Sequence, residues 1–143
     1  MAGSSCTVTY KAVKPGKKDI MIVKTAWVAD DGNGTFPSTA LTEAVMRFPY
    51  INKGYYLECV KYVPGDVTTP DNSFDIVLND PDGVDILGGE YTSFDGTGAA
   101  EYGLAAIGDD HHTPYIGEQL TIAPANNNTN DATFDFYLYL VRG

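Results

Sequence analysis

From Thr133 to Arg142 the chain alternates without a break. Phe134, Phe136, Leu138 and Leu140 fall on one parity, and Asp135, Tyr137, Tyr139 and Val141 on the other. A period of two puts successive side chains on opposite faces, so this stretch reads as a β-strand with one face in a core. Ser73 to Asn79 repeats the pattern, with Phe74, Ile76 and Leu78 set against Asp75, Val77 and Asn79. Further strand-like runs are Thr7 to Lys11, Asp19 to Ala29, Gly54 to Val63 and Gln119 to Ile122. Between the runs lie Asp30-Asp-Gly-Asn-Gly34, Pro64-Gly65, Asp80-Pro-Asp-Gly83 and Asn126-Asn-Asn-Thr-Asn-Asp131. These residue types adopt turn conformations at little steric cost. Asp80 to Gly83 leads straight into Val84 to Leu87, so residues 73 to 87 read as a hairpin. No helical periodicity holds for three turns. The expectation is an all-β fold, an antiparallel β-sandwich or a jelly-roll-like single domain over residues 19 to 143.

Two stretches read less simply. Residues 39 to 48 carry Ala40, Leu41, Ala44, Val45 and Phe48 between Pro37 and Pro49, which fits a strand or a single turn. Residues 88 to 117 are rich in breakers, with Ala99 to Ile107 as the one helical hint. A connection of that length reads as one long loop, and such loops are often functional. Its aromatic residues Tyr91, Phe94, Tyr102 and Tyr115 are candidates for contact with a partner. The last strand adds two more. Its non-core face carries Tyr137 and Tyr139, where a solvated face would carry charge. Tyrosine is stiff, large and polar at one end, which suits protein interfaces. A covering loop or a simple cross-strand ladder accounts for the same residues equally well.

Composition narrows the partners. The chain has 143 residues, enough for one domain to fold without a staple. Its 9 Lys and Arg against 19 Asp and Glu give a net charge of −10. Such a chain repels nucleic-acid phosphates and anionic lipid, so neither is an expected partner. No apolar run is long enough for a signal or a membrane span, and the protein is expected to be made in the cytosol. There Cys6 and Cys59 read as reduced packing residues rather than as a bridge. The first 18 residues, with Lys11, Lys14, Lys17 and Lys18, read as an N-terminal arm suited to an acidic surface. A frayed polar terminus is the plainer alternative.

Catalytic constellations are missing from the sequence. His111-His112 follows Asp109-Asp110, but no further His or Cys stands at ligand spacing, and adjacent strand residues point apart. Asn79-Asp-Pro-Asp-Gly-Val-Asp85, with Glu90 beyond, carries carboxylates like a calcium loop, yet proline interrupts it and the spacing fails. No nucleophile elbow, phosphate-binding loop or dinucleotide fingerprint occurs. Nothing marks two of the many acids as an opposed pair. The expectation is a protein without catalytic residues, cofactor or metal.

One segment has a recognisable shape. Gly54-Tyr-Tyr-Leu-Glu-Cys-Val, then Pro64-Gly65, then Pro70-Asp-Asn-Ser-Phe-Asp-Ile-Val-Leu-Asn-Asp-Pro-Asp-Gly-Val-Asp-Ile-Leu-Gly-Gly89 resembles a group of small β-rich proteins encoded among the structural genes of tailed bacteriophages. Residues 118 to 142, a Leu-Thr-Ile strand, an Asn-rich turn and an aromatic final strand, are similar more loosely. The resemblance implies a virion component assembled in the host cytoplasm. It points first to a capsid decoration (cement) protein that binds the major capsid protein on the outer shell as a homo-oligomer. A tail, neck or fibre-base protein of the same β class is the neighbouring expectation. A carbohydrate-binding adsorption module, using the loop aromatics, stands further off, and an enzyme last.

Overall fold

The computed structural model describes residues 4–13, 19–41, 54–107, 110–116 and 119–142. Along it run β1 (Ser5–Val13), β2 (Asp19–Val28), β3 (Thr39–Ala40), β4 (Tyr55–Pro64), β5 (Asp75–Asn79), β6 (Glu101–Gly103), β7 (Ala105–Ile107), β8 (Asp110–His112), β9 (Tyr115–Ile116), β10 (Thr121–Ala125) and β11 (Thr133–Arg142). No helix occurs among the described residues. The broad sheet has the order β1-β2-β11-β4-β6, and β9 joins the other end of β4. A small sheet has the order β3-β10-β5, and β7 pairs with β8. Every pairing is antiparallel. The protein is all-β, with antiparallel sheets packed together as in a β-sandwich.

Alternation sets the core. Met21, Val23 and Trp27 of β2 are buried with Leu57, Val60 and Tyr62 of β4 and Phe134, Phe136, Leu138 and Leu140 of β11. Ile76 and Leu78 of β5, Phe74 just before it and Ile122 of β10 belong to the same cluster. Trp27 stacks on Phe134 with ring centroids 5.6 Å apart, and Phe74 meets Phe134 edge-on at 5.1 Å. Tyr62 buries its ring there and donates its hydroxyl to the Gly96 carbonyl at 2.8 Å. Even the buried polar group in β2 is accounted for. The Thr25 hydroxyl donates to the Phe136 carbonyl at 2.8 Å and accepts the Trp27 indole N–H at 2.7 Å. A buried indole N–H without that acceptor would cost about 1–3 kcal/mol.

Three expectations change. Residues 5–13 are a strand paired with β2 over their whole length, not a detached arm. They form the sheet's edge, with Cys6, Val8 and Tyr10 packed against the core and Ser5, Thr7, Thr9 and Lys11 turned outward. Of residues 99–107, Glu101–Gly103 is a strand on the edge of β4 and Ala105–Ile107 a strand paired with Asp110–His112, so pairing outweighs the helical preference of a small-residue run. Gly103 is required here: a Cβ at that position would fall on the Tyr91 ring. Finally, the hairpin over 73–87 closes only through an Asn79–Asp85 bridge, and residues 86–92 coil into turns. Asp85 decides this by taking three backbone N–H groups, from Leu78, Leu87 and Gly89, each at 3.0 Å. The stretch from 42 to 53, most of the ambiguous segment, lies outside the described residues.

Candidate functional site

The register of the broad sheet places its outward residues in rows. One row runs Tyr102, Lys61, Tyr137, Lys24, Thr9 from β6 to β1. The next holds Cys59, Tyr139, Ile22 and Lys11, and a third Tyr115, Tyr56, Val141, Ile20 and Val13. The face is therefore tyrosine and aliphatic, studded with lysine. Its position follows from the core alternation: the parity that buries Phe136 and Leu138 turns Tyr137 and Tyr139 outward.

Lys61 is the hub. Its ammonium stands 4.2 Å from the Tyr137 ring centroid, 5.5 Å from Tyr102 and 5.9 Å from Tyr139. Lys24 flanks Tyr137 from the other side at 5.8 Å and pairs with Asp135 at 3.7 Å. A cation over a tyrosine face is worth about 0.5–1 kcal/mol at exposed sites, so this cluster holds its side chains in place without adding much stability. A hydrogen bond to Tyr139 raises the Lys61 pKa above its ordinary value despite burial, so the charge persists. Burial raises the Tyr139 hydroxyl pKa, and Lys61 opposes the shift. Tyr137 and Tyr139 lie near-parallel with centroids 6.4 Å apart, and Tyr102 reaches Tyr139 at 5.9 Å.

A bulge shapes one end of the face. The β4–β11 register slips between Tyr139 and Leu140, so Glu58 and Cys59 both lie opposite Tyr139. Beyond the slip Tyr56 and Tyr115 meet at 5.3 Å, exposed by half and more. Tyr56 was not among the sequence candidates. The alternation Tyr55, Leu57 inward against Tyr56 outward was its available signal.

The other candidates separate cleanly. Tyr137, Tyr139, Tyr102 and Tyr115 share the outer face. Tyr91 does not: it is 4% exposed, against Phe136 and Phe94, and leaves no ring face for a partner. Phe94 is also packed against the core, tied to Phe74 by a two-way backbone bridge. Both serve to seal the segment from 86 to 98 onto β5, so the loop aromatics do not form one platform. Lys14, Lys17 and Lys18 lie outside the described residues. His111 and His112 sit on β8. Among the described residues no group of three or more metal-ligating side chains is gathered.

Charge is unevenly spread. The outer rows hold Lys11, Lys24 and Lys61 against Asp135 and Glu58, a small positive excess on a chain of net −10. Asp30, Asp71, Asp75, Asp80, Asp85 and Asp95 instead accept backbone N–H or side-chain bonds in the turns. In the Asp80–Asp85 segment these bonds tie the carboxylates of Asp80 and Asp85 to the backbone of residues 78–89. Cys6 faces the core side of β1, its thiol pushed up to about 11 by burial, while Cys59 faces outward from β4 with β2 and β11 between them. Cysteines on opposite faces of a sheet cannot meet in a bridge.

Clefts among the described residues are small, and two of them carry a pair of acids, Asp66 with Asp135 and Glu90 with Glu101. The one beside Tyr102, of about 310 Å³, is lined by Glu90, Tyr91, Glu101, Tyr102, Gly103 and Leu104. Comparison with protein-family models, curated proteins and solved structures gives no match.

Proposed function

We propose that this chain is a bacteriophage virion structural protein, a decoration protein that binds the outside of the capsid shell and stabilises it. The observation that carries the reading is the outer face of the broad sheet. It is a surface of tyrosine and aliphatic side chains with lysines held over the rings, on a protein of net charge −10. Tyrosine anchors ringed by charge are what protein interfaces use, and a weak interface repeated over a shell adds up by mass action. The resemblance of residues 54–89 to small phage structural proteins points the same way. In this reading Tyr137, Tyr139 and Tyr102 lie on an acidic or mixed patch of the major capsid protein, Lys61 and Lys24 meet its carboxylates, and assembly takes place in the host cytoplasm.

The test is to mix the purified protein with mature capsids lacking it, pellet the shells and count bound copies. Hundreds of copies with a raised shell melting temperature support the decoration role. A handful, or binding to tails alone, moves the protein to a tail, neck or fibre-base position. No binding discards the virion reading. Of the four loop aromatics a glycan-binding role would use, Tyr91 and Phe94 are packed on the core and Tyr102 and Tyr115 are exposed.

A further inference from the structure

β1 is the end strand of the broad sheet. β1 pairs with β2 on one side only, and nothing among the described residues pairs with its other side. The remaining sheet edges are short or closed. β6 is three residues long, β9 and β3 are two each. The free side of β5 is taken by residues 85–94. Ile76 N–H donates to the Tyr91 carbonyl at 2.7 Å, Ile86 N–H to Leu78 at 2.9 Å, and Phe74 and Phe94 exchange bonds at 3.1 Å. β1, in contrast, offers nine residues, Ser5 to Val13, with no proline and a continuous register against β2. Proteins commonly blunt such edges with charge, proline or bulges, because an open strand is a template for another chain. Here the one charge is Lys11.

We propose that β1 pairs antiparallel with β1 of a second copy, joining two broad sheets into one continuous sheet across a two-fold axis. Three features select a second copy as the occupant. First, the strand is complementary to itself. A pairing centred on Val8 sets Cys6 opposite Tyr10 and Thr7 opposite Thr9 of the second copy, apolar facing apolar and polar facing polar. Cross-strand pairs of that kind are the unit of sheet stabilisation. Second, Lys11 lies away from the centre, so it falls opposite Ser5 of the second copy and the two lysines stay apart. Third, two chains of net −10 repel over most of their surfaces, and β1 holds no carboxylate. Cys6, Val8 and Tyr10 pack against the core but stay partly exposed, and the second copy completes their cover. A two-fold axis normal to the sheet also keeps both tyrosine faces on the same side.

The experiment follows the full chain by sedimentation equilibrium over a wide concentration range, with hydrogen exchange of residues 5–13 at each end of that range. A dimer is expected, with β1 amides losing protection on dilution. The variant S5K/T7K changes two exposed positions opposite Val28 and Ala26, so no lysine of its own β2 faces them. It places a new lysine opposite Lys11 of the second copy whether the pairing centres on Val8 or on Thr9. Its dimer is expected to be about tenfold weaker or worse, with an unchanged circular dichroism spectrum. A monomer at all concentrations overturns the proposal. So does a dimer that S5K/T7K leaves intact, or β1 amides that exchange at the same rate at both concentrations. Should S5K/T7K fail to fold, the exchange of the unaltered chain decides alone.

Discussion

The outer face of the broad sheet and the aspartate-rich turns are both polar, but their charges do different work. In the turns Asp30, Asp71, Asp75, Asp80, Asp85 and Asp95 each accept backbone N–H groups. Asp71 holds Asn128 N–H at 2.7 Å and the Thr129 hydroxyl, while Asp80 caps Asp82 and Val84 at 3.0 Å each. Asn127, 5% exposed, donates to the Gly34 carbonyl at 2.6 Å and accepts Asp71 N–H at 3.1 Å, so it sews three loops together. Gly34 has φ +73°, and a Cβ there would run into Asn128, which is why glycine stands at that contact. On the face, by comparison, the lysines bond little backbone and rest on ring faces that water can reach. The lesson is that a charged residue bound by backbone N–H groups is architecture, and one left over an exposed aromatic is available to a partner.

That contrast can be broken at its strongest point first. Asp85→Ala leaves Leu78, Leu87 and Gly89 N–H without their carboxylate and should cost about 3 kcal/mol, read by urea unfolding. A loss below about 1 kcal/mol would mean that the turn does not depend on it. Asn127→Ala should follow at about 2 kcal/mol, with increased proteolysis of the three loops it joins.

The core under both regions gives a pH test. Burial foremost, with Glu101 and Glu90 adding to it, pushes the Tyr91 phenol up to about 12. The unfolded chain releases that proton near 10, whereas the folded chain keeps it until about 12. Tyr91 therefore contributes fully below pH 10, and its contribution fades as pH climbs from 10 towards 12. Tyr91→Phe should flatten that alkaline fall; an unaltered slope would sink the assignment.

The smallest stability effect is expected on the face. Lys61→Met and Tyr137→Ser should each change unfolding free energy by about 1 kcal/mol or less. Both should weaken shell binding in the pelleting assay. Large instability with intact binding would reverse the comparison.

Much of this was readable in the sequence, and the exceptions share a cause. β2 and β11 announce themselves because one face is buried and period two survives intact, and β4 does so on either side of its bulge. The outward Tyr137 and Tyr139 follow from the same alternation. What failed depended on contacts distant in the chain. Tyr91 and Phe94 sit among breakers, and only the strand they cover shows that they are core. Glu101 to Gly103 carries no strand pattern of its own, since its pairing with β4 makes it one. The bulge at Glu58 and Cys59, which brings Tyr56 onto the face, shows locally only as apolar Leu57 and Val60 standing three apart.

The order of the broad sheet also dictates when the molecule can form. β11, the last of these strands along the chain, lies between β2 and β4, so neither earlier strand meets its central neighbour until residues 133–142 arrive. A growing chain can close the β1–β2 hairpin early, but the core must wait. Pairings this distant in sequence make for slow, all-at-once folding. A ribosome stalled before residue 133 would hold a chain with two long, sticky edges, a ready client for a chaperone.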